Sequence, residues 1–124
     1  MRLLLDTRVV MWRLDDSPQL SSSFKELLDT EPAVYVSAVS PWEITVKQFL
    51  GRFEGPGDLA ERVRDLQFRG LPITAAHGVR AGRLPIVHTD PFDRILIAQA
   101  QAEEMVLVTR NLWIPQYDVQ VMSV

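Results

Sequence analysis

The sequence contains no cysteine, which excludes disulfides and thiolate metal sites and makes a cytoplasmic location the default expectation. It lacks any apolar run of the roughly 20 residues needed to span a bilayer, so no membrane is expected among its partners. Met1-Arg2-Leu3-Leu4-Leu5-Asp6 meets an acid too early for the apolar stretch of a secretory leader. Histidine is scarce: neither His77 nor His88 has metal-ligand spacing to the other, and both are expected at the surface. A basic surplus is missing too, since the net charge is −3 and no global field draws in nucleic acid. There is no repeat, linker or low-complexity tract. What remains is a chain of 124 residues, 47% hydrophobic, enough to bury a core as a single domain over residues 1–124. Its basic residues are nearly all Arg, the type suited to phosphate.

Strand-like and helix-like stretches alternate. Arg2 to Leu5, Val34 to Val39, Leu71 to Thr74, Met105 to Thr109 and Val119 to Met122 read as short strands, rich in β-branched and aliphatic residues. Between them lie helical patterns. The first runs through Val9, Val10, Met11, Trp12 and Leu14. The second carries Phe24, Leu27 and Leu28 behind a Ser23–Glu26 capping box. The third opens at Ser40-Pro41-Trp42-Glu43 and stops at Gly51, and the fourth spans Leu59, Val63, Leu66 and Phe68 as far as Gly70. A small helix over Ala75 to Ala81 precedes the longest one, which opens at Asp90-Pro91-Phe92-Asp93 and runs to about Glu104. Strands separated by helices predict an α/β fold, a parallel sheet with helices on both faces.

In such sheets ligands bind at the carboxyl ends of the strands, where the strand order reverses. Asp6 follows the first strand, Glu43 lies one helical turn beyond the second, and Asp90 and Asp93 open the longest helix. Each has a bland explanation when taken alone. Asp6 can be a turn former, Glu43 completes a capping box with Ser40, and Asp90 and Asp93 cap a buried helix with Pro91 at its first position. Acids at three separate junctions are harder to explain as caps. Together they need a cation, and hard oxygen ligands suit Mg²⁺ or Mn²⁺ rather than zinc.

Leu3-Leu4-Leu5-Asp6-Thr7, Ser40-Pro41-Trp42-Glu43-Ile44, Asp90-Pro91-Phe92-Asp93-Arg94 with Leu96-Ile97-Ala98-Gln99-Ala100, and Leu107-Val108-Thr109-Arg110 follow one another in an order and spacing that resemble a PIN domain. More closely, they resemble the VapC-type toxins of bacterial and archaeal toxin–antitoxin pairs, over essentially the whole chain. The resemblance implies a three-layer α/β/α domain with a central, mostly parallel five-stranded sheet. It implies a Mg²⁺- or Mn²⁺-dependent endoribonuclease, a homodimer, inhibited by a cognate antitoxin protein. Asp6, Glu43 and Asp93 match the family's acidic site, and Asp90 matches an additional acid of the Asp-Pro-Phe-Asp subgroup. Two positions depart from the pattern: Asn111 stands where a fourth acid usually follows the fourth strand, and Arg8 where the subgroup commonly has His.

On this reading Asp6 and Asp93 hold the metal, with Asp90 or Glu43 assisting, and a metal-activated water attacks the RNA phosphodiester to leave a 5′-phosphate and a 3′-hydroxyl. Arg8, Lys47, Arg94, Arg110 and Asn111 are the candidates for substrate contact. The alternative is a PIN-like module weakened through Arg8 and Asn111 that binds antitoxin or RNA without efficient cleavage. A phosphoacceptor signalling domain is disfavoured because the third strand ends in Ile73-Thr74 and the C-terminal segment has no Lys. A haloacid-dehalogenase-like phosphatase is disfavoured because Arg8 occupies the place of its second Asp.

Overall fold

Leu3, Leu4 and Leu5 have no solvent exposure, as expected of a strand covered on both faces, and they form the central strand β1. In the computed structural model, which describes residues 1–124, β1 is followed by α1 (Thr7–Leu14), α2 (Ser22–Thr30), β2 (Val34–Ser37), α3 (Val39–Phe49), α4 (Leu59–Arg64) and β3 (Arg69–Leu71). Then come α5 (Ala75–Arg83), α6 (Pro91–Glu103), β4 (Val106–Thr109), a 3₁₀ turn over Ile114–Gln116, and β5 (Val121–Ser123). The sheet order is β3-β2-β1-β4-β5, and all four pairings are parallel.

Because neighbouring side chains on a strand face opposite ways, the sheet feeds two cores. Leu3, Leu5, Val34, Val36 and Val108 pack with Val9 and Val10 of α1, Phe24 and Leu28 of α2, and Leu59, Ala60 and Val63 of α4. Leu4, Leu71 and Leu107 pack on the other side with Leu96, Ile97 and Ala100 of α6 and with Ile114. The expected three layers are present, and the sheet is wholly rather than mostly parallel. No helix is long and apolar enough to cross a membrane.

Several boundaries differ from the sequence reading, each for a local reason. The third strand lies two residues early, at Arg69–Leu71, because Pro72 has no N–H to give a ladder. Gly70 is thus inside a strand rather than a helix stop. Leu66 and Phe68 pack on the first core from beyond the end of α4. Ser21, not Ser23, caps α2 by accepting from the Phe24 N–H. The Ser40–Glu43 capping box does not form: α3 starts at Val39, and the Ser40 hydroxyl pairs with Thr7 Oγ1 at 2.9 Å. Glu43 is therefore not spent on a helix end. His77 is buried, not superficial. Its Nδ1 accepts from the Thr74 N–H in the capping box of α5, and its Nε2 faces Glu103.

Candidate active site

The strand order reverses between β1 and β4, since the chain steps from β1 to β2 and β3 on one side and places β4 and β5 on the other. The candidate site lies at the carboxyl ends of these two strands. Asp6, directly after β1, caps α1: its Oδ1 accepts from the Arg8 N–H at 2.7 Å. Its Oδ2 accepts from the Thr109 hydroxyl at 2.5 Å, so the last residue of β4 holds the carboxylate across the reversal. Burial pushes the Asp6 carboxyl above its ordinary range, against the opposing pull of the Thr109 and Arg8 hydrogen bonds. Replacing Thr109 by Val removes the only side-chain donor to a buried carboxylate. Urea unfolding is expected to show a loss of about 1–3 kcal/mol, with Thr109→Ser close to the parent.

At the mouth of α6, Asp90 Oδ1 accepts from the N–H groups of Phe92 (2.9 Å) and Asp93 (3.4 Å), with Pro91 at the first helical position. Asp93, in the first turn, faces inward. Its Oδ2 lies 3.0 Å from His88 Nε2 and accepts from Asn111 Nδ2 at 3.1 Å. Burial first, then the charges of Asp90 and Asp6, with a smaller contribution from Glu43, push the Asp93 carboxyl up to about 7, and the His88 hydrogen bond only partly offsets them. Glu43, on α3, is 4% exposed. Its Oε2 pairs with Lys47 one turn on, and Lys47 Nζ also reaches Asp90 Oδ2 at 3.4 Å. Burial pulls the Lys47 ammonium down, but Glu43 and Asp90 together outweigh it and hold it above the ordinary lysine value. Glu43 Oε1 is buried with no hydrogen-bond partner.

One cleft of about 410 Å³ gathers Asp6, Glu43, Asp90 and Asp93 together with Arg8, Lys47, Arg110 and Asn111. Trp12 and His88 complete its wall. The residues fit a hard divalent cation. Carboxylate oxygens predominate, one buried oxygen is orphaned, and Asp93 is destabilised as an anion by burial and by the charges of Asp90 and Asp6.

Not every candidate for substrate contact serves there. Arg94 points away from the cleft. Its guanidinium donates to the carbonyls of Ala81 and Leu84 (2.8 Å each), Pro85 (3.0 Å) and His88 (3.3 Å), and to the Tyr117 hydroxyl (3.4 Å). It is a clamp on the loop before α6, not a phosphate contact. Arg110 borders the cleft, but it donates to Gln19 and the Val124 carbonyl, and its guanidinium lies over the Trp12 ring at 4.5 Å. Arg8 is exposed, its guanidinium 5.2 Å from the Phe53 ring centroid. The Asn111 Oδ1 accepts from the Trp113 N–H, so Asn111 turns a donor toward Asp93. His88 was missed: it is half-buried against Asp93, not a surface residue. The available signal was its place two residues before Asp90, a spacing to acids rather than to another His or Cys.

A doubly covered parallel sheet with an acid-lined cleft at its reversal point defines the class as an α/β domain with its acids gathered at the strand ends. The sequence matches the PIN domain over residues 3–119, and the chain belongs to that family, whose members are generally nucleases. No protein of curated function matches it in sequence. Among solved structures, it is similar to VapBC2 from Rickettsia felis bound to a DNA fragment from its promoter (TM-score 0.73, 14% identity, covering 99% of this chain and 98% of that one). It is also similar to DNA-bound VapBC from Salmonella typhimurium (TM-score 0.70, 12% identity, 99% and 98%). A third is FitAcB from Neisseria gonorrhoeae (TM-score 0.66, 22% identity, 97% and 96%). At these identities the likeness establishes the fold.

Proposed function

We propose that the chain is a Mg²⁺- or Mn²⁺-dependent endoribonuclease of the VapC type, the toxin of a toxin–antitoxin pair. The observation that carries this reading is the convergence of Asp6, Glu43, Asp90 and Asp93, from three separate parts of the chain, on one cleft with a buried unpaired oxygen at Glu43. Asp6 and Asp93 are the main metal-holding groups, Glu43 assists, and Asp90 divides itself between the helix cap and Lys47. A divalent cation bound there supplies charge neutralisation at the scissile phosphate and acidifies a water nucleophile. Thr109 and Asn111 hold the Asp6 and Asp93 carboxylates in place, while Lys47 and Arg8 face the approaching phosphates and Arg110 adds positive charge at the rim.

The antitoxin partner is supported by the similar structures, which include VapBC complexes and a toxin–antitoxin complex from Klebsiella pneumoniae. It is supported too by bare apolar side chains on and just beyond the helix that carries Glu43 and Lys47: Trp42, Phe49 and Leu50 are exposed, Phe49 to 91%. The homodimer expected from the family belongs to the same reading. A second reading draws on Asn111, which offers Asp93 an N–H where an acid would offer a ligand: a module that binds antitoxin or RNA without efficient cleavage.

Incubation of the purified protein with RNA and MgCl₂ or MnCl₂ separates the two. Cleavage leaving 5′-phosphates, abolished by chelator and lowered about 100-fold or more by Asp6→Asn, is the expected result. Intact RNA with both metals sinks the nuclease. If calorimetry then finds no metal affinity above that of the Asp6→Asn, Asp93→Asn double variant, the binding module stands.

A further inference from the structure

His88 enters the cleft from the loop between α5 and α6, and its backbone is pinned on both sides. Its backbone N–H donates to the Tyr117 hydroxyl at 2.9 Å, and its carbonyl accepts from Arg94 and from Tyr117. Its ring lies parallel to that of Trp113, with centroids 6.1 Å apart and planes 4° from coincidence. The edge carrying Nε2 therefore faces Asp93 Oδ2 at 3.0 Å. Two neighbouring ligands on one ion with bonds of about 2.1 Å stand about this far apart. Donor atoms of His88, Asp90 and Asp93 all lie within 4.8 Å of one another. Independently, Glu43 lines the same cleft with a buried oxygen that has no partner.

We infer that His88 Nε2 is a direct ligand of the divalent cation held at Asp93, and that it tilts the site toward Mn²⁺ over Mg²⁺. The inference rests on the metal-dependent reading above and adds a ligand and a selectivity to it. The cleft already has four carboxylates, and a further acid adds repulsion, whereas a neutral imidazole adds a donor without charge. Asp90 has little left to give, with Oδ1 in the helix cap and Oδ2 toward Lys47. Imidazole nitrogen suits the transition metals, while Mg²⁺ takes oxygen and water, so a nitrogen ligand raises Mn²⁺ affinity more than Mg²⁺ affinity.

The competing role is a hydrogen bond from Nε2–H that only steadies Asp93. Pulsed electron paramagnetic resonance of the Mn²⁺-loaded whole chain distinguishes them. Expected is a histidine nitrogen coupling that changes isotope pattern when the protein carries ¹⁵N-histidine. The signal has one possible source, because both ring nitrogens of His77 are engaged, with the Thr74 N–H and with Glu103. This measurement needs no variant. Calorimetry with MnCl₂ and MgCl₂ adds the selectivity: His88→Gln, checked for folding by its melting curve, is expected to lose about tenfold or more in Mn²⁺ affinity and much less for Mg²⁺. Bound Mn²⁺ with no histidine coupling overturns the ligand assignment, and equal weakening of both metals overturns the selectivity; neither touches the metal-dependent reading. Failure of the parent protein to bind either metal overturns the metal-dependent reading along with it.

Discussion

Asp93→Asn is expected to lower RNA cleavage by about 1,000-fold or more and, in the same protein freed of metal, to raise the melting temperature at pH 8. Both effects come from one carboxylate. Burial and three neighbouring acids push the Asp93 carboxyl to about 7 from its ordinary 3.8. A group whose folded value is raised contributes its stability fully below about pH 4, where both the folded and the unfolded chain hold the proton. As pH rises from 4 to 7 the unfolded chain releases it and the folded chain does not, so that contribution drains away and is gone above 7. At pH 8 the metal-free protein carries an anion among Asp90, Asp6 and Glu43, and the neutral amide of Asn removes it. The relief is on the order of 1–3 kcal/mol, or several degrees in melting temperature, after allowing for the lost helix-dipole interaction at the first turn. Below about pH 4 the two proteins should melt alike. Excess Mn²⁺ should reverse their order at pH 8, because it stabilises only the protein that binds it. Scanning calorimetry at pH 4 and pH 8, with and without metal, beside a cleavage assay, makes the comparison. If Asp93→Asn costs stability and activity together under all four conditions, the carboxylate serves the helix and not the metal.

Such an opposition between function and stability explains why the acids were visible in the sequence while their surroundings were not. Asp90-Pro91-Phe92-Asp93 announces a helix start through local rules, and α6 begins there with Asp90 as its cap. The apolar runs at Arg2–Leu5 and Met105–Thr109 read as strands, and Leu3–Leu5 and Val106–Thr109 pair at the centre of the sheet. What depends on a partner distant in the chain was out of reach. Ser40 and Glu43 have capping-box spacing, yet Thr7, 33 residues away, takes the Ser40 hydroxyl. The orientation of Asp6 depends on Thr109, 103 residues away. His88 could not be placed by any rule of His or Cys spacing, because its partner is an acid on the next helix and its ring is held by Trp113. Arg94 misled for the same reason: an Arg beside an acidic motif reads as a phosphate contact until its five acceptors are seen.

Arg94→Ala is accordingly expected to produce the largest loss of stability of any single substitution at the rim of the site, about 3–4 kcal/mol in urea unfolding. The guanidinium closes the loop from Ala81 to His88 by donating to four of its carbonyls and touching Tyr117. Truncation takes one donor from each of those carbonyls, at the place where the chain turns from α5 into α6. It leaves Ala81, Pro85 and His88 with only their Leu84, Val87 and Tyr117 donors. Lysine does not replace it. One ammonium has three donors on a flexible stem and cannot span acceptors arranged around a planar fork, so Arg94→Lys should recover less than half of the loss. Metal affinity should fall with stability, because the same loop delivers His88 to Asp93. The phosphate-contact role makes the opposite forecast. In the cleavage-deficient Asp93→Asn background, loss of a phosphate contact leaves unfolding unchanged, weakens RNA binding, and lowers the slope of log affinity against log salt by about one. With the side chain turned to backbone carbonyls, the salt slope should instead stay where it is while the unfolding midpoint moves.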